Sequence, residues 1–212
     1  MNIERDIRFW DRTARKYAKA AVADPAGYAQ TLERTRARLR SGMRVLELGC
    51  GTGTTAFQLA PDVHSYLATD ISPAMIAIAR DRLADRPIPQ LSFCAAAAEE
   101  LVTASGRYNA VLGFNYLHLV RNLQATLRSI HDLLEPAGLF ISKTPCLQDM
   151  NPLMRAIVLP AMRVVGIAPY VGAFPSSGLE QQIAATGFDI VAVERHASGG
   201  KDARPYIVAC KQ

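Results

Sequence analysis

Glu47, Gly49, Gly51, Gly53 and Asp70 are residue types that could handle a ligand together. The first four fall in the stretch VLELGCGTGTTA, residues 45–56, and Asp70 ends the next apolar run. Three glycines so close together let a backbone turn sharply and approach a ligand with no Cβ in the way. Gly51 to Ala56 fits G-x-G-x-x-A, the pattern that brings a dinucleotide's pyrophosphate to a helix start, and Asp70 stands about 20 residues on, where an acid holds ribose hydroxyls. Glu47 argues against that ligand. Two like charges ~5 Å apart repel by about 3 kcal/mol at an effective dielectric near 20. A ligand with a cationic amine at the loop and no phosphate would be attracted instead. S-adenosylmethionine is such a ligand, with a positive amino group, a sulfonium and ribose hydroxyls for Asp70.

The surrounding pattern says what must position these residues. Residues 3–20 repeat Ile3, Ile7, Trp10, Ala14 and Tyr17 at helical spacing. Asp24-Pro25 breaks that helix, and a second carries Tyr28, Leu32 and Leu39 on one side. Strands are expected at 43–48, 65–70, 91–95, 108–114 and 139–143, with helices at 54–60, 73–86 and 123–134. Ser72 should begin the helix that has Pro73 in its first turn. Strands alternating with helices predict an α/β fold with a parallel sheet covered on both faces. At the end, 188–196 and 206–211 are strands joined by a turn-rich loop without a helix, hence antiparallel neighbours. The expectation is a Rossmann-like, doubly wound, mostly parallel seven-stranded sheet with one antiparallel strand near the edge. Residues 147–175 interrupt the pattern with an apolar stretch punctuated by Pro152, Pro160 and Pro169. Two short helices covering the mouth of the site and a plain packed insertion are both open readings of it. The organisation expected is N-terminal helices over 1–40, a core of 41–146 and 176–212, and the insertion 147–175, all in a single domain.

VLELGCGTGTTA resembles motif I of class I S-adenosylmethionine-dependent methyltransferases. ATDISPAMIAIAR (68–80) is similar to that family's second strand and helix, FCAAAAEEL to the segment after its third strand, and YNAVLGFNYLHLV to its fourth strand with a following Leu-His pair. LLEPAGLFISKTP, GFDIVAVERH and PYIVACK are similar to the fifth strand and the closing antiparallel pair. Together these pieces cover about residues 40–145 and 179–211, in family order. The resemblance implies cofactor contacts at Glu47, Gly49, Cys50, Gly51, Gly53, Phe114 and Asn115, and at Tyr17, whose other open reading is a core aromatic of the first helix. It implies Asp70 on the ribose, Ile71 and Met75 on adenine, and the backbone N–H of Ala98 on adenine. Ala97 stands where the family often has Asp accepting from the adenine amino group, and Glu99 is the residue that could replace it. One such hydrogen bond is worth about 0.5–1.5 kcal/mol, so binding should survive its loss.

Methyl transfer is an in-line displacement at a carbon already activated by sulfonium, so proximity and orientation can supply much of the catalysis. His118 is the candidate general base, and a structural imidazole at a strand end is the alternative. Trp10, Tyr116 and Tyr170 could line an apolar acceptor pocket or be plain core. His64, His131 and His196 are expected at the surface or at element ends, with no role. No metal site is expected, since Cys50, Cys94, Cys146 and Cys210 form no C-x-x-C pair.

Composition narrows the partners. The net charge of +5 arises within residues 1–40, where ten Lys/Arg meet five acids. That can be a basic edge for an anionic partner or two solvated helices of mixed charge. No apolar window is long enough to span a bilayer, and the charged N-terminus does not read as a secretory signal, so a cytoplasmic protein is expected. The Asn-Pro-Pro-Tyr signature of relatives that methylate nucleobase or glutamine nitrogens is absent, FNYLH standing in its place. The reading is methyl transfer to a small-molecule acceptor, without nucleic acid. A phospholipid-headgroup methyltransferase in peripheral contact with a membrane and a non-catalytic cofactor-binding protein remain as alternatives. Acceptor and oligomeric state stay open.

Overall fold

The computed structural model describes residues 3–104, 107–150, 170–199 and 202–212. Two helices open the chain, α1 (Ile3–Lys19) and α2 (Pro25–Arg36). Then come β1 (Arg44–Leu48), α3 (Ala56–Leu59), β2 (Ser65–Asp70), α4 (Pro73–Asp85), β3 (Leu91–Ala95), α5 (Ala98–Ala104), β4 (Tyr108–Phe114), α6 (Leu123–Leu133), β5 (Leu134–Lys143), α7 (Ser176–Ala184), β6 (Phe188–Glu194) and β7 (Tyr206–Lys211). The seven strands run in the order β3-β2-β1-β4-β5-β7-β6. All neighbouring pairs are parallel except those made by β7, which is antiparallel to both β5 and β6. The expected Rossmann-like sheet is therefore the one observed.

Side-chain caps start the helices where the sequence signals them. Ser72 Oγ accepts from Met75 N at 3.1 Å, Asp24 Oδ1 from Gly27 N at 3.0 Å and Asn122 Oδ1 from Ala125 N at 3.0 Å. Successive residues of the central strands feed opposite faces of the sheet. Val45 joins Tyr66, Phe93 and Ile141 in one apolar cluster, while Leu46 and Leu48 join Val111, Phe140 and Ile207 in the other. Glu47 alternates onto the Val45 side of a strand covered on both faces, which is why it is only 3% exposed.

Several elements differ from expectation. β5 begins at Leu134 rather than Leu139; Pro136 and Gly138 sit in a register shift against β4, with Ala137 at φ 60°. A bulge lets the strand accept a proline that a regular ladder would reject. The buried stripe of α2 is Gly27, Thr31 and Thr35, a small and polar one, and not Tyr28 and Leu32. Thr31 meets His196 at 3.0 Å and Thr35 meets Tyr206 at 3.2 Å, so α2 docks on the β6–β7 end through hydroxyls. His196 is accordingly buried, its ring 4.6 Å from that of Tyr206. In α1 the buried residues are Asp6 and Ala14, whereas Ile3 and Tyr17 are exposed. The helices expected within 147–175 fall mostly on 151–169, outside the described residues. The two ends of that segment are joined, Gln148 N donating to Phe174 O and Ser176 N to Asp149 Oδ2.

Candidate functional site

Strand order reverses between β1 and β4, and the crevice beyond the carboxyl ends there is where open α/β sheets bind ligands. Gly49 follows β1, and Asn115 follows β4 in the left-handed region (φ 51°), a conformation asparagine tolerates better than most residues. Two cavities meet at this point. The first, about 240 Å³, is bounded by Asp70, Ile71, Met75 and Ala97 on one side and by Trp10, Tyr116 and His118 on the other. The second, about 530 Å³, lies toward Glu47, Cys50, Thr55, Tyr28 and Lys143. Tyr17, Gly49, Phe114 and Asn115 border both.

Helix α1 roofs the first cavity and is tied down at two points. Asp11 Oδ1 accepts from Ser72 Oγ at 2.6 Å and from Ala74 N at 3.1 Å, so an α1 carboxylate sits at the N-terminus of α4. Asp6 Oδ2 accepts from Arg121 Nε at 2.7 Å, and that guanidinium lies 5.0 Å over the Tyr170 ring. Trp10 and Tyr17 reach the cavity because these contacts hold the helix across it. Tyr170 is used in this contact and does not border either cavity.

Asp70 closes the loop from beneath. Its Oδ2 accepts from Gly51 N and its Oδ1 from Ser72 N, both at 2.9 Å. Burial raises its pKa, and these two backbone donors oppose the rise. Each oxygen keeps a lone pair for a ligand. Glu47 accepts a hydrogen bond from Tyr66 Oη at 2.9 Å, and burial pushes its pKa up to about 7. The fixed negative charge expected at the loop's mouth is therefore poised: Glu47 lies beneath the loop, and a cation in the second cavity would favour its ionised form.

The three glycines do different things. A Cβ on Gly49 (φ 70°) would lie 2.7 Å from Tyr116 Cδ2, and one on Gly51 (φ 55°) 3.2 Å from Tyr17 Cε1. On Gly53 (φ 84°) it would lie 2.7 Å from Phe93 Cζ, deep in the core, and Gly53 borders neither cavity. Gly53→Ala is thus expected to lower stability by more than the ~1–2 kcal/mol of a left-handed alanine, read from urea unfolding. Gly51→Ala meets only the half-exposed Tyr17 ring, and its larger effect is expected on cofactor affinity.

Ala98 and Glu99 also lie off the cavities. Ala98 opens α5 fully buried, and Glu99 Oε1 accepts from Thr126 Oγ1 at 2.7 Å, which turns the carboxylate toward α6. Glu99 is therefore not a replacement for the missing acid at Ala97. His118 borders the first cavity, but burial drags its pKa down to about 4, and its Nδ1 is buried with no partner among the described residues. So low a pKa makes a poor general base at neutral pH. Sequence reasoning missed Tyr28, Thr31, Lys143 and Arg204 in the second cavity. Only Lys143, a charge at the end of an otherwise apolar strand, carried a signal that could have found it.

A family model described as "Methyltransferase domain" matches residues 39–193. The chain belongs to the methyltransferase domain family. The expected class I S-adenosylmethionine-dependent family is the right one, and S-adenosylmethionine is the cofactor it implies. Among curated relatives of this chain, the ubiquinone/menaquinone biosynthesis C-methyltransferase of Coxiella burnetii is 36% identical over 112 residues, 50% of this chain and 44% of that protein. The citrinin polyketide synthase of Monascus ruber is 30% identical over 105 residues, 47% of this chain and 4% of that one. The chain thus spans less than half the length of the curated relatives it matches. Among solved structures, magnesium protoporphyrin IX methyltransferase from Synechocystis with bound SAH superposes with a TM-score of 0.72 at 18% identity, covering 98% of this chain and 95% of that one. A cyclopropane synthase from Mycobacterium tuberculosis superposes at 0.67 and 17% identity, covering 79% and 63%. At such identities the likeness is one of fold. Among the described residues no helix is long and apolar enough to cross a membrane.

Proposed function

We propose that this methyltransferase transfers the methyl group of S-adenosylmethionine to a small-molecule acceptor, with the cofactor in the first cavity and reaching the second past Gly49. The observation that carries the reading is the meeting of the two cavities at Tyr17, Gly49, Phe114 and Asn115. Together they fall within the roughly 300–1,000 Å³ usual for small-molecule sites. The residues suit the cofactor. Asp70 is pre-set by two backbone donors to receive the ribose hydroxyls, and the Ile71 and Met75 side chains form an apolar wall for adenine. Glu47, Gly49 and Cys50 stand where its cationic amino end would lie. Gly51 keeps the loop low beneath Tyr17.

The cofactor supplies a methyl group on a positive sulfur, ready for in-line displacement. This chain's residues bind, orient and exclude water: Tyr17 and Trp10 cover the site, and Phe114 and Asn115 set the floor between donor and acceptor. His118 contributes a neutral, buried wall and is at best a weak base. The match to a C-methyltransferase of quinone biosynthesis supports a partly apolar acceptor. The phospholipid and non-catalytic alternatives draw no specific support from the site.

Calorimetric titration with S-adenosylmethionine, S-adenosylhomocysteine and NADH tests the reading. Binding of the first two and not the third is expected; NADH binding alone would overturn it. The Glu47 environment adds a pH signature. Pairing with a cationic amine requires ionised Glu47, whose pKa in the unliganded protein is about 7. Cofactor affinity should therefore rise from pH 6 to about 7.5, with protons released on binding, until the α-amino group itself begins to lose its charge near ~7.7–8.0. Heats measured in two buffers of different ionisation enthalpy would show the release, and Glu47→Gln should abolish it.

A further inference from the structure

The second cavity has a charge layout that methyl transfer alone does not explain. Its lining carries the carboxylates of Glu47 and Asp24 and the cations of Arg82, Lys143 and Arg204. Strand β5 delivers Lys143 to its carboxyl end in register with Phe114, and Asn115 N donates to Lys143 O at 2.7 Å. The ammonium thus emerges one strand away from the floor shared by the two cavities.

Its direction is set by α2. The Thr31 hydroxyl donates to Gly27 O at 2.8 Å, so toward Lys143 Nζ, 2.9 Å away, it acts as acceptor. That uses one of three ammonium N–H groups. Among the described residues Lys143 Nζ has no other hydrogen bond and no carboxylate within ion-pairing distance. The nearby acids are engaged elsewhere. Asp24 accepts from Gly27 N, Ser198 N and Ser198 Oγ, and Asp202 accepts from His196 N, Ala197 N and Arg204 N. Asp24 thus holds Ser198, and Asp202 holds His196, Ala197 and Arg204, whose Nε lies 3.7 Å from Asp202 Oδ1. Half-burial lowers the pKa of Lys143, with Arg204 adding to that and Asp202 and Asp24 opposing it. A half-buried ammonium with open donors and a guanidinium on the same cavity suits an anion. Above them the linker between α1 and α2 contributes Ala20, Ala21, Val22 and Ala23 to the wall, an apolar rim with Val22 exposed.

We propose that the methyl acceptor is an apolar small molecule bearing a carboxylate, which Lys143 and Arg204 hold in the second cavity while its apolar body rests against the Ala20–Ala23 rim. This rests on the methyl-transfer reading and names the acceptor class for it. In this arrangement the amino group of the cofactor faces Glu47 and the carboxylate of the acceptor faces Lys143. The acceptor's reactive atom then lies between them, above Phe114 and Asn115.

The test is calorimetric titration of the protein saturated with S-adenosylhomocysteine, using 2-naphthoate and octanoate as probes against their neutral carboxamides. Each carboxylate should bind at least 10-fold tighter than its amide. Lys143→Met should remove that preference, Lys143→Arg should keep it, and S-adenosylhomocysteine affinity should change less than twofold in both. Lys143→Gln serves if the methionine variant does not fold. Equal binding of acid and amide by the natural protein, or binding of neither, overturns the proposal. A tenfold loss of S-adenosylhomocysteine affinity in Lys143→Met also overturns it, because the ammonium would then serve the carboxylate of the cofactor. Failure of the natural protein to bind S-adenosylhomocysteine would instead overturn the methyl-transfer reading, and the acceptor assignment with it.

Discussion

Asp70→Ala is expected to weaken S-adenosylhomocysteine binding by about 100-fold or more while the protein remains folded. Two ribose hydroxyls donating to a buried carboxylate are charge-assisted hydrogen bonds, each worth about 1.5–3 kcal/mol, and losing ~2.7 kcal/mol is already a factor of about 100. The substitution also removes the acceptors of Gly51 N and Ser72 N. Each buried N–H left without a partner costs about 1–3 kcal/mol, so urea unfolding should show a loss of stability alongside the loss of affinity. Asp70→Asn separates the two effects. It keeps one acceptor oxygen but presents an NH₂ to one of the two backbone donors, so its affinity should lie between those of the natural protein and the alanine variant. Unchanged affinity in Asp70→Ala would remove Asp70 from the cofactor site.

The second large effect concerns pH, because the site buries two titratable groups whose shifts oppose each other. Glu47 titrates at about 7 in the folded chain against 4.5 when free. Between those values the folded state holds the extra proton, so stability falls as pH rises through the window. His118 titrates at about 4 against 6.5. Between those values the unfolded state holds the extra proton, so stability rises with pH. Each is worth about 3 kcal/mol over its full window at 1.36 kcal/mol per unit. From pH 4.5 to 6.5 the two slopes largely cancel in the natural protein. Glu47→Gln should expose the His118 slope: relative to the natural protein, its stability should climb by about 2–3 kcal/mol from pH 4.5 to 6.5. His118→Asn should fall by a similar amount over the same range. Urea denaturation at half-unit pH steps reads both difference curves. Parallel curves for all three proteins would mean that neither group is buried as described.

The same two residues mark the boundary between local and tertiary information. Sequence shows that a carboxylate precedes a glycine loop and that a histidine follows the fourth strand. It does not show that Tyr66 Oη donates to that carboxylate, or that His118 Nδ1 is sealed without a partner. Those facts depend on residues distant in the chain, and they change two local readings: Glu47 is a poised acid, not a fixed charge, and His118 fits the structural imidazole that the sequence left open.

By itself the sequence determined the alternation of strands and helices, the reversed last strand, the glycine loop and the family. Each is written in near neighbours. Apolar runs bounded by turn residues mark Ser65–Asp70, Leu91–Ala95, Tyr108–Phe114 and Tyr206–Lys211 to the residue, because strand burial imposes itself on consecutive positions. Only the tertiary structure decided which motif residues border a cavity. Gly53 makes room for Phe93 and Glu99 turns to Thr126, though both sit among residues that border the cavities. The buried face of α2 is threonines because its partners are His196 and Tyr206, more than 160 residues away. Lys143 and Arg204 come to one cavity wall only through the pairing of β5 with β7. Periodicity reports how one segment meets an average interior. Which particular groups meet there, and what burial does to their charges, depends on contacts between segments that no local pattern records.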